Sequence, residues 1–257
     1  LPQTHNGWTL QNNLNFPHAI GAIDGKHVSI RSPGHSGSDY YNYKGFYSIV
    51  LLVIVDAHYN FMFADAGGKG GISDGGIFRN SRLHYKLENK LLNIPRAEPL
   101  RIPYKIPVPY FFLGDKAFAF TDYCIRPFGG LHPPGSYQRV FNYRHSRARM
   151  PVENALGILA NRFQVLKGPI LLEPDVAKHI VLTTVYLHNF LRKSTSNNSY
   201  APPSSFDRIV DGNLVQGDWR NNVPLQNMLS ISARTPDRLM KIREHMFFLT
   251  KTLFFVL

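Results

Sequence analysis

The sequence predicts an α/β fold, in which strands form a sheet and helices pack against it. The first observation is a series of short apolar runs rich in β-branched residues, of which residues 47–55 are the longest. The second is a pair of segments, 151–163 and 176–191, whose apolar residues recur at helical spacing. Strand-forming runs dominate the first half of the chain and helical patterns the second, as expected for helices packed on a sheet.

Four strands are predicted, at residues 19–30, 47–55, 61–66 and 110–114. In the first, alternation places Ala22, Asp24, Lys26 and Val28 on one face. The second lacks polar alternation, which favours a central strand buried on both faces. Residues 56–60 form a turn, so the third strand returns as a hairpin.

Helices are predicted at residues 73–92, 121–125, 151–163, 176–191 and 238–249. Ser73 or Asp74 is the candidate N-cap of the first. Pro151 suits the first turn of the third, because proline has no N–H to leave unpaired there. The Gly-rich stretch 67–71 is not predicted to be a nucleotide loop, because no Gly-Lys-Ser/Thr follows it.

The chain of 257 residues is long enough for one large domain or two small ones. We expect a first domain over residues 1–193, lacking part of its N-terminal region. Residues 194–257 are predicted to be a linker or draped loop followed by a C-terminal helical extension. The apolar tail 247–257 is expected to pack on another surface as a helix or strand.

The balance of charges points to a polyanionic partner. The 29 Lys and Arg residues exceed the 17 Asp and Glu residues, which gives a formal net charge of +12. Nucleic acid, an anionic membrane surface or an acidic protein fits this field, and charge kept for solubility is the alternative. A single cysteine, Cys124, excludes an internal disulfide and a multi-cysteine zinc site, and suits a reducing compartment. No window of about 20 residues is continuously apolar, so the sequence predicts no membrane span.

Three acidic residues stand at positions that suggest chemistry. Asp24 lies in the middle of a strand, Asp115 ends an apolar strand, and Glu153 lies in the first turn of a helix. The small neighbours Gly157 and Ala160 would leave room for a ligand above Glu153. Each acid also has a structural explanation, since Asp115 could cap the next segment and Glu153 could favour a helix N-terminus.

Together, three such carboxylates can hold two divalent ions about 4 Å apart, and oxygen ligands favour Mg²⁺ or Mn²⁺. Such a pair of ions suits phosphodiester cleavage. Other acids compete for this role, namely Asp39, Asp56, Asp65 and Asp74.

Basic residues surround the candidate acids along the chain. Lys26 and His27 follow Asp24 and are candidate contacts to phosphate, although a buried structural His27 is an equal alternative. A further cluster of candidate DNA-binding residues precedes Glu153, formed by Arg139, Arg144, Arg147 and Arg149. Its alternative is a solvated basic segment. Residues 116–172 contain eight basic and two acidic residues, so half of the excess charge falls there.

Several segments carry a resemblance to a known family, in the family's order. They are Gly21-Ala-Ile-Asp-Gly-Lys-His27, Tyr41-Asn-Tyr-Lys-Gly-Phe46, Ser73-Asp-Gly-Gly-Ile-Phe-Arg-Asn-Ser81, Gly114-Asp-Lys-Ala-Phe118, Phe141-Asn-Tyr-Arg144 with Ser146-Arg-Ala-Arg149, Val152-Glu-Asn-Ala-Leu-Gly-Ile-Leu159 and Leu187-His-Asn-Phe-Leu191. Residues 15–193 thereby resemble the PIF/Harbinger DDE transposases and the nucleases derived from them. The sequence departs from the family pattern at Lys116, Gly71, Met150 and Pro151.

The resemblance implies that residues 1–193 are a DDE transposase-type nuclease domain with a ribonuclease-H-like fold, a mixed sheet flanked by helices. The catalytic triad that it implies consists of Asp24, Asp115 and Glu153. The resemblance also implies metal-dependent cleavage of DNA, a Myb-like DNA-binding partner protein and a nuclear location, with the cytosol as a second possibility. No membrane partner is expected, and the oligomeric state stays open. A second hypothesis is a domesticated, catalytically silent DNA- or chromatin-associated scaffold, which Lys116 beside the second acid would favour. A third is a general anion-binding protein that relies on charge alone.

Overall fold

A mixed sheet with helices on both faces forms the centre of the molecule. The computed structural model describes residues 16–72, 74–100, 106–194, 197–221, 225–228 and 236–252. Its strands are β1 (Ala19–Ser29), β2 (Ser48–Val55), β3 (Phe61–Lys69), β4 (Glu98–Pro99), β5 (Pro107–Val108), β6 (Phe111–Leu113), β7 (Cys124–Ile125), β8 (Arg208–Val210), β9 (Asn213–Val215) and β10 (Gln226–Asn227). Its helices are α1 (Asp74–Arg79), α2 (Arg82–Glu88), α3 (Tyr137–Arg162), α4 (Pro174–Lys193), α5 (Asn197–Tyr200) and α6 (Asp237–Thr252).

The central sheet has the strand order β3-β2-β1-β6-β7, and β10 also pairs with β1. The strands β1, β2 and β3 are antiparallel neighbours, whereas β6 and β7 run parallel to β1. The four predicted strands are therefore confirmed. Every residue of β2 is buried, as its uninterrupted apolar run predicted. Because β3 continues to Lys69, the Gly-rich stretch begins inside a strand.

Alternation along the strands divides the core into two layers. Leu51, Val53 and Val55 of β2 point to the side covered by α3 and α4. The intervening residues of β2 pack with α1, α2 and Phe118 on the other side. A sheet covered on both faces needs apolar residues at successive positions, which explains the continuous apolar run of β2.

The helix that carries Glu153 begins much earlier than predicted. Its N-cap is Ser136, whose hydroxyl accepts a hydrogen bond from the backbone N–H of Arg139. Pro151 therefore lies inside α3 rather than in its first turn, and the predicted start was wrong. A proline inside a helix removes one backbone hydrogen bond. The apolar residues that follow it, including Val152 and Ala155, are fully buried against the sheet and offset this loss.

Two further helix predictions need correction. Residues 121–125 contain strand β7, because Cys124 and Ile125 pair with Phe112 and Leu113 of β6 and are buried there. The predicted helix 73–92 is divided into α1 and α2, with Ser81 capping α2 through the backbone N–H of His84. Ser73, a candidate N-cap, lies outside the described residues.

The segment after α4 packs on the sheet and on α3. Tyr200, Phe206 and Trp219 are buried against Ile158 of α3. The strand β10 then pairs with β1 at Lys26 and His27. The last helix, α6, confirms the prediction for residues 238–249, whereas the end of the apolar tail at 253–257 lies outside the described residues. In the described part of the chain, every helix is too short or too polar to cross a bilayer.

Candidate active site

A cavity of about 220 Å³ opens where β1, the end of β6, α3 and the C-terminal segment meet. Its polar lining consists of three carboxylates, three basic side chains and an amide, contributed by Asp24, Asp115, Glu153, Lys26, Arg149, Arg220 and Asn227. Apolar groups close the rest of the wall, among them Leu156, Trp219 and Leu225. All three acids predicted from the sequence therefore line a single cavity.

Strand register brings the two aspartates together. The parallel strands β1 and β6 pair Ala22 with Leu113. Asp24 and Asp115 each follow the paired residue by two positions, and a shift of two positions keeps a side chain on the same face. Asp24 is almost fully buried and accepts a hydrogen bond from the N–H of Gly25. Asp115 accepts one from the N–H of Ala117.

Glu153 reaches the cavity from α3, which packs against β1. It lies well inside this helix, because the N-cap is Ser136. Stabilisation by the helix N-terminus falls off within the first turn, so it does not explain this glutamate. The placement of Glu153 at the cavity is the remaining structural reason for an acid here.

Basic side chains lie between the carboxylates. The Nζ atom of Lys26 lies 3.0 Å from Oδ2 of Asp24. Arg149 lies 3.7 Å from Asp24 and 3.3 Å from Glu153, and Arg220 lies 3.7 Å from Glu153. Three cations thus face the three carboxylates of the cavity.

Burial changes the acidity of two of the carboxyl groups. It raises the pKa of Asp115, and the negative charge of Asp24 raises it further. Burial also raises the pKa of Glu153, although Arg149 partly opposes this effect. Both shifts mean that the charged forms depend on nearby positive charge.

The donor atoms in this cavity fit a hard divalent cation. Three carboxylates supply oxygen ligands, which Mg²⁺ and Mn²⁺ prefer. In the arrangement described, no three His, Cys, Asp or Glu side chains of the described residues come close enough to hold one ion. Lys26 and Arg149 instead contact the oxygens that a metal would use, so metal binding requires an exchange of cations at these oxygens.

The basic residues predicted to bind DNA divide between two places. Lys26 and Arg149 line the cavity. Arg139 is exposed and Arg147 half-buried on α3, where the guanidinium of Arg147 lies over the ring of Tyr143. Arg144 is also half-buried on this helix.

His27 lies away from the cavity. It is on the opposite face of β1 from Asp24, is buried, and shares a hydrogen bond with the hydroxyl of Ser48. Burial, with a smaller effect from Lys44, lowers its pKa to about 4. His27 therefore occupies a buried structural position, the alternative given from the sequence, and its side chain does not reach the carboxylates.

Three of the four competing acids do not line this cavity. Asp39 forms an exposed ion pair with Lys69, and Asp56 accepts hydrogen bonds within its own turn. Asp65 lines a different cavity, next to α1 and α4. The side chain of Asp74 lies outside the described residues. Lys116 is exposed and is not part of the lining of the triad's cavity.

Sequence reasoning missed the C-terminal wall of the cavity. Trp219, Arg220 and Asn227 come from a segment predicted to be a linker and an extension. Trp219 occupies the space over Gly157 that had been expected to receive a ligand, since a Cβ atom on Gly157 would lie 2.2 Å from its ring. No local pattern marks these residues, apart from the rarity of tryptophan in this chain.

Comparison with known proteins gives matches over the segment that contains the three acids. A family model described as DDE superfamily endonuclease matches residues 23–189, which include all three acids of the cavity. The chain is 28% identical over 177 residues to "Putative nuclease HARBI1" of Rattus norvegicus, and 25% identical to the protein of that name in Homo sapiens. It is 27% identical over 181 residues to "Protein ALP1-like" of Arabidopsis thaliana.

These matches cover 68% of this chain but only 43% to 46% of the relatives. The chain thus spans less than half the length of the curated relatives that it matches. No solved structure matches the chain significantly.

Proposed function

The chain belongs to the family of DDE superfamily endonucleases, and from this membership we propose that it is a metal-dependent DNA nuclease with a ribonuclease-H-like fold. Its triad consists of Asp24, Asp115 and Glu153. The observation that carries the proposal is their convergence on one cavity, from two parallel strands in register and one packed helix. Cleavage of DNA phosphodiesters is the activity, with strand transfer if transposition is retained.

The three carboxylates would hold two divalent ions, Mg²⁺ or Mn²⁺. When bound, such ions supply an activated water or hydroxyl and stabilise the leaving oxygen of a phosphodiester. The protein keeps the acids in position through the backbone N–H groups that bind Asp24 and Asp115. Deprotonated carboxylates are required for metal binding, and burial raises the pKa of Asp115 and Glu153. Metal affinity is therefore expected to increase with pH.

Lys26 and Arg149 have a second role in this proposal. In the cavity they neutralise Asp24 and Glu153, which keeps a set of buried acids charged. With divalent ions held by the carboxylates, Lys26 and Arg149 would be available to the phosphate oxygens of DNA. Two basic residues of α3, the exposed Arg139 and the half-buried Arg147, would extend this positive region toward the duplex.

DNA is thus the proposed partner, and the net charge of +12 supports it. A nuclear location and a Myb-like DNA-binding partner protein belong to the same proposal, since they are implied by the resemblance to the Harbinger family. The relatives extend well beyond the matched region, and the activity of a whole protein of that length is part of the proposal as well.

The test compares wild type with Asp24→Asn in Mg²⁺- or Mn²⁺-dependent nicking of supercoiled DNA. We expect the nicking rate to fall about 100-fold or more, because the substitution removes one of the carboxylates proposed to hold the metal that cleavage requires. Asp65→Asn is the matched control, because Asp65 is a sheet aspartate that lines a different cavity. Equal nicking by wild type and Asp24→Asn would refute the assignment.

A silent DNA-bound scaffold is the second candidate, and one observation favours it. Lys26 lies 3.0 Å from Asp24 and Arg149 lies 3.3 Å from Glu153, so these carboxylates have cationic partners without metal. This candidate predicts no anomalous Mn²⁺ signal at the triad in crystals soaked in millimolar Mn²⁺. Mn²⁺ bound by the three acids would exclude it.

A further inference from the structure

Arg220 enters the cavity from the C-terminal segment and is held from behind by a buried acid. Its Nε donates to both oxygens of Asp207, at 2.9 and 3.0 Å, and its Nη2 donates to Oδ2. The Asp207 side chain is fully buried, and it also accepts a hydrogen bond from the N–H of Gly217. A paired guanidinium and carboxylate of this kind fixes the orientation of the arginine.

The same segment is fastened to the helix that carries Glu153. The Oδ1 atom of Asn154 accepts hydrogen bonds from Nε1 of Trp219, at 2.7 Å, and from the N–H of Asp207, at 3.0 Å. Asn154 is fully buried and directly follows Glu153. The indole of Trp219 lies over Gly157, and the guanidinium of Arg220 lies 4.4 Å from the centre of that ring. Arg220 is thereby held at a fixed place relative to Glu153.

The contact between Arg220 and Glu153 is weaker than the contact with Asp207. Its nitrogen–oxygen distance of 3.7 Å is longer than a hydrogen bond, whereas the bonds to Asp207 have normal or short lengths. A guanidinium has five N–H donors, and Asp207 uses those on one side. The side chain is 31% exposed, so part of it faces the open cavity.

We propose that Arg220 contacts a phosphate group of the DNA substrate in this cavity, with Asp207 and Trp219 as its positioning residues. The inference rests on the proposed nuclease function. The inference goes beyond that function, because residues 207–220 lie outside the segment that matches the endonuclease family. A guanidinium fixed on one side by a carboxylate and stacked on an indole presents its other donors in a preorganised fork, which suits phosphate oxygens.

The opposing explanation is that Arg220 is only a counter-ion of Glu153. The two explanations predict opposite effects of removing the charge. A phosphate contact predicts weaker binding and slower cleavage in Arg220→Ala. A counter-ion predicts that Arg220→Ala frees Glu153 for metal and leaves cleavage unchanged or faster.

The experiment measures duplex affinity against salt concentration, and nicking rate, for wild type and three variants. Binding is measured in Ca²⁺, with gel analysis confirming that the DNA stays intact. For Arg220→Ala we expect the slope of log K against log salt to decrease by about 0.9, the value for one lost phosphate contact. We also expect nicking in Mg²⁺ to fall roughly 10- to 100-fold, the cost of losing one charged hydrogen bond.

Two further variants make the result specific. Arg208→Ala removes the same charge from a neighbouring exposed residue that does not line the cavity, and is expected to change neither measurement. Arg220→Lys keeps the charge but loses the fork, and is expected to restore the salt slope without restoring the nicking rate.

An Arg220→Ala variant that matches Arg208→Ala in both measurements, or that cleaves faster than wild type, would overturn the inference. If wild type does not nick DNA at all but the change in salt slope is found, the phosphate contact stands and the nuclease proposal fails. Near-ultraviolet circular dichroism identifies whether Arg220→Ala has lost its fold. In that case Arg220→Lys decides, because it is expected to keep the salt slope of wild type but to nick DNA more slowly.

Discussion

Adding one methyl group to α3, by Gly157→Ala, tests whether Trp219 is fixed on this helix. The new Cβ atom would lie 2.2 Å from two carbons of the indole ring, and 2.8 Å from a third. Ordinary contact begins at 3.4 Å, so the ring would have to retreat by more than 1 Å. It cannot do so freely, because Trp219 is buried and its Nε1 donates to Asn154.

The change in the free energy of unfolding has three contributions, of which the first stabilises the protein and the other two destabilise it. Replacing glycine by alanine inside a helix stabilises it by about 1 kcal/mol. Overpacking a filled site costs about 1 to 3 kcal/mol, and a buried N–H that loses its partner costs about 1 to 3 kcal/mol more. We therefore expect the free energy of unfolding to fall by about 1 to 5 kcal/mol, although helix propensity alone predicts an increase.

Urea unfolding followed by the fluorescence of Trp219 measures this change. The chain has two tryptophans, so Trp8→Phe provides a background in which Trp219 alone reports. Gly168→Ala is the control, because nothing lies within 4 Å of a Cβ atom at Gly168. A Gly157→Ala variant that is as stable as its parent, with unchanged indole emission, would refute the packing of Trp219 on α3.

Three other outcomes follow from the same structure. Asn154→Ala should lower the free energy of unfolding by about 2 to 5 kcal/mol in urea titrations, because two buried N–H groups lose their acceptor; a loss below about 1 kcal/mol would contradict this role. Gly25→Ala should cost less than Gly157→Ala in the same titration, since the three atoms nearest to its Cβ atom all belong to the flexible side chain of Met228, and the opposite order would show that Met228 is rigid. Burial lowers the pKa of His145 to about 3, so the native state binds fewer protons than the unfolded state between that value and the ordinary pKa of 6.5. This contribution to stability is complete above pH 6.5 and is lost as pH falls toward 3, with about 2 kcal/mol already lost at pH 5. His145→Gln should flatten the pH dependence of unfolding over that range, and an unchanged slope would exclude His145 as its source.

The strands were predictable because their signal is local. A run such as β2, apolar at every position, has no stable place except inside a sheet covered on both faces. The start of α3 was not predictable in this way. Pro151 is typical of a first turn, and only the burial of the residues around it makes a proline acceptable in the middle of a helix. Strand β7 was missed because two residues carry too little periodicity to distinguish a strand from a turn.

The sequence alone determined the identity of the acids, because each stands where a lone carboxylate is costly or within a family segment. Their meeting in one cavity depended on the tertiary structure, since register between β1 and β6 aligns Asp24 with Asp115, and long-range pairing sets register. The same holds for Arg220, which lies 67 residues beyond Glu153 in the chain. Its place is fixed by buried hydrogen bonds that Asn154 accepts from a distant segment. Such bonds join residues that are far apart in sequence, so no local pattern predicts them. Only the packing of the whole chain brings these residues together.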